Sequence, residues 1–198
     1  MTATGKHEIS RDDIMAMADY ARIRGERRKA MVALKRQRRL EVGPVCVFHF
    51  ENYETMWAQI HEMLYIEKGG EAQIADELAA YNPLIPKGRE LVATVMFEID
   101  DPVRRQALLG KLGGIEQTAV LRLNGDTIAG QAEADVDRTS AAGKASSVQF
   151  IHFPFTDGQV AAFRRPGTEI LVGFTHLHYG HMAVMPETVR QALAADFD

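Results

Sequence analysis

The clearest periodicity in the chain spans residues 52–67. Met56, Trp57, Ile60, Met63 and Leu64 recur at helical spacing and predict an amphipathic helix. A second stripe on the same helix is polar. Asn52, Thr55, Gln59 and Glu62 follow one another at helical intervals and align on one face, with His61 beside them. Upstream, Ile14, Met17, Ala18 and Ala21 predict a helix that starts at Ser10, its N-cap, and is broken or bent at Gly25. A second helical piece is expected over 26–40, ended by Gly43-Pro44. Further helices are expected over 72–80, 101–112, 157–163 and 187–197. Asp101-Pro102 supplies an N-cap and a first-turn proline for one of them.

Between the helices the pattern alternates, which predicts strands. Val45, Val47 and His49 oppose Cys46, Phe48 and Phe50. Leu91, Ala93, Val95, Phe97 and Ile99 oppose Val92, Thr94, Met96 and Glu98. Strands over 118–123 and 127–132 flank Asn124-Gly125-Asp126, a hairpin signal. Gln149, Ile151, Phe153 and Phe155 share one face of a strand over 147–155; Val148, Phe150 and His152 share the other. A last strand from Glu169 carries Ile170, Val172, Phe174, His176 and His178 in phase. This order predicts an α+β domain: a mainly antiparallel, barrel-like sheet of about six or seven strands with helices packed around it. A doubly wound parallel fold is the runner-up. The chain reads as a single domain over residues 1–198, with a disordered lead-in over 1–8 and a helical N-terminal arm over 9–42.

Composition changes this picture little. An apolar fraction of 46% and a charged fraction of 25% are ordinary for a soluble globular protein. A single cysteine, Cys46, excludes an intrachain disulfide framework and a cysteine-rich metal site. Its apolar neighbours mark it as a packed thiol rather than a nucleophile. No apolar run approaches the ~20 residues that span a bilayer, and the first residues lack a signal-peptide core. A cytoplasmic protein with no membrane partner is expected. Charge is more informative. Nine of the 23 basic residues fall between Arg22 and Arg39. Nucleic acid is the lesser reading of this patch, because no aromatic residue interleaves after Tyr20 to stack on bases. A solvated helix face, or one that meets acidic residues of a partner subunit in a homo-oligomer, fits better.

The candidate chemistry lies near the C-terminus, in Phe-Thr-His-Leu-His-Tyr-Gly-His-Met over 174–182. On a strand, His176 and His178 would project from one face with Cα atoms roughly 6.5 Å apart. Gly180 would let a turn bring His181 back. Neutral imidazoles in this arrangement suit iron first and zinc second, with His152, His61 or Glu62 completing the sphere. In a small metal-dependent enzyme, an oxygenase or hydrolase, Glu62 or Tyr179 would handle protons. Asn52, Thr55, Gln59, Tyr81 and Asn82 would line the site of a small-molecule substrate. Asp135 and Asp137 offer an incomplete oxygen set for a hard cation. The same residues admit a plainer reading. The histidines would then end a polar strand, the stripe would be a wet helix side, and the protein would be a non-catalytic ligand-binding or accessory protein that docks a partner through its basic helices.

Gly43-Pro44 with Phe50-Glu-Asn52, Gln59-Ile-His-Glu-Met-Leu64, Tyr81-Asn-Pro-Leu-Ile-Pro86, the stretch from Thr139 to Phe153, and His176 with Tyr179 together resemble an uncharacterised bacterial family, domain of unknown function 3501. The resemblance runs from about Ile9 to Phe197. It implies no activity, substrate or cofactor. This chain departs from the family pattern at His61, where Gln is usual, and at His152 and His178. The pattern usually has His at the position of Gln149. If these extra histidines build a metal site, the untagged protein should carry near-stoichiometric iron or zinc by elemental analysis. His176→Ala and His178→Ala should each lose it.

Overall fold

The computed structural model describes residues 6–133, 139–141 and 143–198. Within them the chain forms β1 (Arg39–Val42), β2 (Cys46–Glu51), β3 (Glu90–Phe97), β4 (Ala119–Leu123), β5 (Asp126–Ala129), β6 (Gln131–Ala132), β7 (Val148–Pro154), β8 (Ile170–Phe174) and β9 (Met182–Val184). The α-helices are α1 (Met17–Arg36), α2 (Tyr53–Glu67), α3 (Glu71–Tyr81), α4 (Pro102–Leu109), α5 (Asp157–Arg164) and α6 (Glu187–Ala194). All strand pairs are antiparallel.

The α+β class and the antiparallel pairing match expectation; the barrel does not. The strands make two open sheets, ordered β1-β2-β3-β7-β6 and β5-β4-β8-β9. The expected strand over 127–132 is divided between them. Gly130 sits at the crossing, where a Cβ would lie 2.7 Å from Ile151 Cγ2 and 2.8 Å from Ala119 Cβ. Only glycine lets the chain pass from one sheet to the other this closely.

The sheets face each other across the main core. Alternation places Cys46, Phe48, Phe50, Leu91, Val95, Phe97, Ile151 and Phe153 on the inner side of the first sheet. Leu121, Leu123, Ile170, Val172 and Phe174 answer from the second. Phe48 lies 5.3 Å from Phe174, ring centre to ring centre, a contact directly between the sheets. The outer side of the first sheet, through Val92, packs with a separate helical core of Ile9, Ile14, Tyr20, Met56, Trp57, Ile60, Leu64 and Leu84. The first sheet is therefore covered on both faces.

Three expectations shift for physical reasons. Gly25 does not break the N-terminal helix. Nothing lies within 4 Å of a Cβ built there, and an exposed glycine costs a helix only about 1 kcal/mol. The helix instead starts later, after a 3₁₀ turn over Arg11–Asp13, and ends earlier, because residues from Arg39 pair with β2. Of the lead-in, residues 1–5 lie outside the described residues, but the part that follows is anchored. His7 donates from Nδ1 to the Pro86 carbonyl at 2.7 Å, and Asn82 pairs with both backbone groups of Ile9. Asp135 and Asp137 also lie outside the described residues.

The last strand ends at Phe174, and the histidines form the connection beyond it. The Tyr179 N–H bonds the His176 carbonyl at 3.0 Å and closes a tight turn through Leu177 and His178. Tyr179 then points inward, 3% exposed. Its O–H donates to the Val42 carbonyl at 2.9 Å and accepts from the Val45 N–H at 3.2 Å. The turn of the second sheet is thus latched onto the β1–β2 turn of the first. Tyr179→Phe should keep the fold but lower the urea midpoint, with a loss of about 1–3 kcal/mol for two backbone groups left unpaired.

Candidate functional site

The turn separates the histidines that strand geometry would align. His176 Nδ1 accepts from the His178 N–H at 3.2 Å, and its Nε2 lies 3.3 Å from the Gly113 carbonyl. The imidazoles of His176 and His178 are 5.9 Å apart, centre to centre, and tilted. His178 is exposed. His181 packs on the Tyr179 ring at 4.5 Å. The other two histidines belong elsewhere. His152 bonds Glu90 Oε2 from Nδ1 at 3.0 Å. Burial pulls the Glu90 carboxyl up, but this bond and the Lys87 amide outweigh it and hold the group below its usual range.

His61 is fully buried. Its Nδ1–H donates to the Trp57 carbonyl at 2.7 Å, and its Nε2 accepts from the Met15 N–H at 3.1 Å. Both ring nitrogens are taken, so neither can hold a metal. The ring also stacks on Trp57, centroid to centroid 3.8 Å. Glu62 is equally committed. Arg24 grips it at 2.8 Å through both Nε and Nη2, and the Tyr20 O–H donates to it at 2.8 Å. The Arg24 guanidinium holds the Glu62 carboxyl below its ordinary range, against the pull of burial. A group so held is a poor base.

The remaining stripe residues are structural in the same way. Asn52 caps α2 by accepting from the Thr55 N–H at 3.0 Å, and Thr55 Oγ1 accepts from the Asn52 N–H at 2.9 Å. Gln59 reaches the Tyr81 oxygen at 3.4 Å. Asn82 is the clamp on Ile9. Burial pushes the Tyr179 hydroxyl up to about 12, and the hydroxyl is already held between the Val42 carbonyl and the Val45 N–H. Among the described residues no group of three or more His, Cys, Asp or Glu could hold a metal ion. The iron or zinc set expected from His176, His178, His181, His152, His61 and Glu62 does not converge. Its members end a turn, cap a sheet edge and fasten a helix.

What the clamp holds is α1. Of its 20 residues only Tyr20 is buried. Tyr20, Arg24 and Arg27 bind it to α2, with Arg27 over the Trp57 ring at 4.8 Å. On the rest of its surface, Arg22 pairs with Asp19 and Lys29 with Glu26. Arg28, Lys35 and Arg36 make no ion pair among the described residues. Helical spacing places Arg28, Val32 and Arg36 on one side. That side borders an open cleft of about 710 Å³, walled by Val32, Lys35, Arg36 and Arg39 on one side and by Ala183 and Val184 on the other. Both strands at the cleft, β1 and β9, are sheet edges. Val32 and Val184 are 72% and 63% exposed and line the same cleft.

Two features here escaped the sequence. His49 faces this cleft, and burial lowers its imidazole below its ordinary value. Arg38 is buried and donates to the Phe50, Glu51 and Ala192 carbonyls and to Asp196. Arg38 looked like one more member of a basic run. Only its position between α1 and β1 turns it inward.

A family model described as "Protein of unknown function (DUF3501)" matches residues 8–197. A crystal structure of a novel protein of unknown function from Burkholderia pseudomallei K96243 is 34% identical and superposes with a TM-score of 0.88. The match covers 96% of this chain and 99% of that one. No curated protein matches. No helix among the described residues is long and apolar enough to cross a membrane.

Burial lowers the His61 imidazole below its ordinary 6.5. Above that pH both folded and unfolded chains hold it neutral, and folding is unaffected. Below it the unfolded chain takes up the proton and the folded chain does not, so stability falls with pH until the folded value is reached. His61→Gln can keep both bonds, donating to Trp57 and accepting from Met15. Urea titrations from neutral to mildly acidic pH should show a shallower loss of stability for His61→Gln than for the parent, with His49 supplying part of the remainder.

Proposed function

The chain belongs to the DUF3501 family, whose description assigns no activity, and from its own geometry we propose a non-catalytic docking protein that presents α1 to an acidic partner. The observation that carries this reading is the segregation of charge onto an exposed helix. Within α1 there are seven cations and two carboxylates, Asp19 and Glu26, a net of +5; because the chain totals −4, the remainder carries −9. Like charges crowded on one helix repel one another, so the arrangement opposes stability and favours an anionic neighbour.

The bonds around Glu62 support the same reading. Residues that could have served catalysis instead hold α1 at a set angle, through Tyr20 and a two-pronged Arg24 contact. Arg28 and Arg36 are exposed beside Val32, with Lys35 half-buried next to them, a mix of cationic and apolar groups that suits an acidic protein surface with apolar anchors. A surface for single-stranded nucleic acid would call for base-stacking aromatics nearby. Tyr20, Trp57 and Tyr65 are instead packed around the α1–α2 contact.

Fluorescence anisotropy with a labelled polyglutamate peptide tests the proposal. Binding should appear at low salt, weaken as salt rises, and fall at least about tenfold in the double variant Arg28→Glu, Arg36→Glu, whose melting temperature should stay near the parent's. No binding by the parent would overturn the reading. Tighter binding of a DNA duplex than of polyglutamate would replace it with a nucleic-acid surface.

A further inference from the structure

His49 stands at the cleft that borders α1 with one ring nitrogen unaccounted for. Alternation along β2 turns it to the outer side of the first sheet, between Arg39 of β1 and Thr94 of β3. Its Nε2 is buried and has no hydrogen-bond partner. A polar atom sealed from water in this way costs stability and calls for a physical reason. The carboxylate facing it is Glu98, just past β3. One oxygen, Oε1, lies 3.8 Å from His49 Nε2, and the other, Oε2, lies 3.8 Å from Arg39 Nη2. Both gaps are longer than a hydrogen bond. Arg39 also reaches Glu41 Oε1 at 3.2 Å. One carboxylate thus stands between two bases and closes fully on neither.

The other charges that act on the imidazole are Lys35 of α1 and Glu51, buried two residues further along β2. Across the cleft stand Ala183, Val184 and Pro186, which do not titrate. Burial holds the imidazole below its ordinary value. Glu51 and Glu98 pull it up, and Arg39 and Lys35 press it down. His49 is therefore neutral at neutral pH and takes up its proton in mildly acidic solution. The proton makes Nε2 a charged donor, and a charge-assisted bond to a carboxylate is roughly twice as strong as a neutral one. We infer that His49 is an acid-responsive switch of the α1 cleft, which on protonation draws Glu98 off Arg39 and leaves a more cationic surface to hold an acidic partner. This rests on the docking reading above and adds its regulation. At the cleft, Lys35, Arg36 and Arg39 carry +3, and Glu41 and Glu98 carry −2, a net of +1. The imidazolium raises it to +2. By linkage, an acidic partner in turn raises the pH at which His49 takes its proton.

Fluorescence anisotropy of the full chain with a labelled peptide of cysteic acid tests the inference. Its sulfonates stay charged where the carboxylates of polyglutamate begin to take up protons. The parent should bind about threefold or more tighter at about pH 5.5 than at about pH 7.5. His49→Gln, which has no titrating ring, should lose most of that gain. A proton NMR titration of the His49 ring supplies a second readout. In Glu98→Gln the titration should move to lower pH than in the parent, because the facing carboxylate is gone. Melting curves at both pH values control for folding. Binding that is present but no tighter in acid, or that tightens as much in His49→Gln as in the parent, overturns the switch and leaves docking standing. A His49 titration that Glu98→Gln leaves unmoved overturns the switch as well. No binding by the parent at either pH removes docking, and the switch with it.

Discussion

Strand β3 buries Leu91, Ala93, Val95 and Phe97 against the second sheet and Val92 against the helices. Covering one sheet on both sides constrains everything laid over it. The inner face is filled by apolar side chains around Phe48 and Phe174, with Gln149 a buried polar exception beside Ile151. The helical cover is amphipathic, and its polar groups must find partners once water is removed. Capping, turn and interhelical contacts consume them one by one. Asn52 and Thr55 close the start of α2, His61 joins it to the segment before α1, and Glu62 takes Arg24. Asn82 holds Ile9 by both backbone groups.

This use of polar groups within the fold is what the proposed reading starts from. A catalytic acid, base or ligand needs an atom free to meet substrate. Here His61, Glu62, Asn82 and Tyr179 are each held by partners within the fold, whereas His49 Nε2 and Gln149 Oε1 are buried without one. The cationic side chains of α1 are the contrast. Most of them are exposed, Arg28, Lys35 and Arg36 lack an ion-pair partner among the described residues, and the clamp through Tyr20 and Arg24 sets where they point. Exposed cations held in place suit recognition of an anionic surface.

The open edges of the two sheets give that surface its setting. Because the sheets do not close, β1 and β9 end side by side, and α1 runs past them with Val32 and Arg36 toward the gap. A closed barrel would have had neither the cleft nor the apolar side chains left at its rim. The position of Glu98 at the end of β3 then brings carboxylates to the same rim, so that the charge pattern of this face depends on sheet topology as much as on composition.

Local pattern determined a good deal. The helical repeat of Met56, Trp57, Ile60 and Leu64, the alternation through β2, β3 and β7, the Asn124-Gly125 turn and the Asp101-Pro102 start of α4 each lie within a few residues of one another, and short-range sterics and periodicity suffice to read them. The resemblance to an uncharacterised family was legible for the same reason, in compact blocks of sequence. Tertiary structure decided the rest. Alternation cannot say where a strand stops, and pairing with β9 ends β8 before the histidines, which turns a potential ligand row into a tight turn. Helical spacing aligned Asn52, Thr55, Gln59 and Glu62 on one face, but it could not show that Arg24 and Tyr20 lie opposite Glu62 or that Met15 lies opposite His61, because those partners are brought together only by folding. Nor could it separate Arg38, turned inward onto Asp196, from Arg36, left in water two residues earlier. Side-chain chemistry is written in the sequence. Which atoms remain free to use it depends on what packs against them.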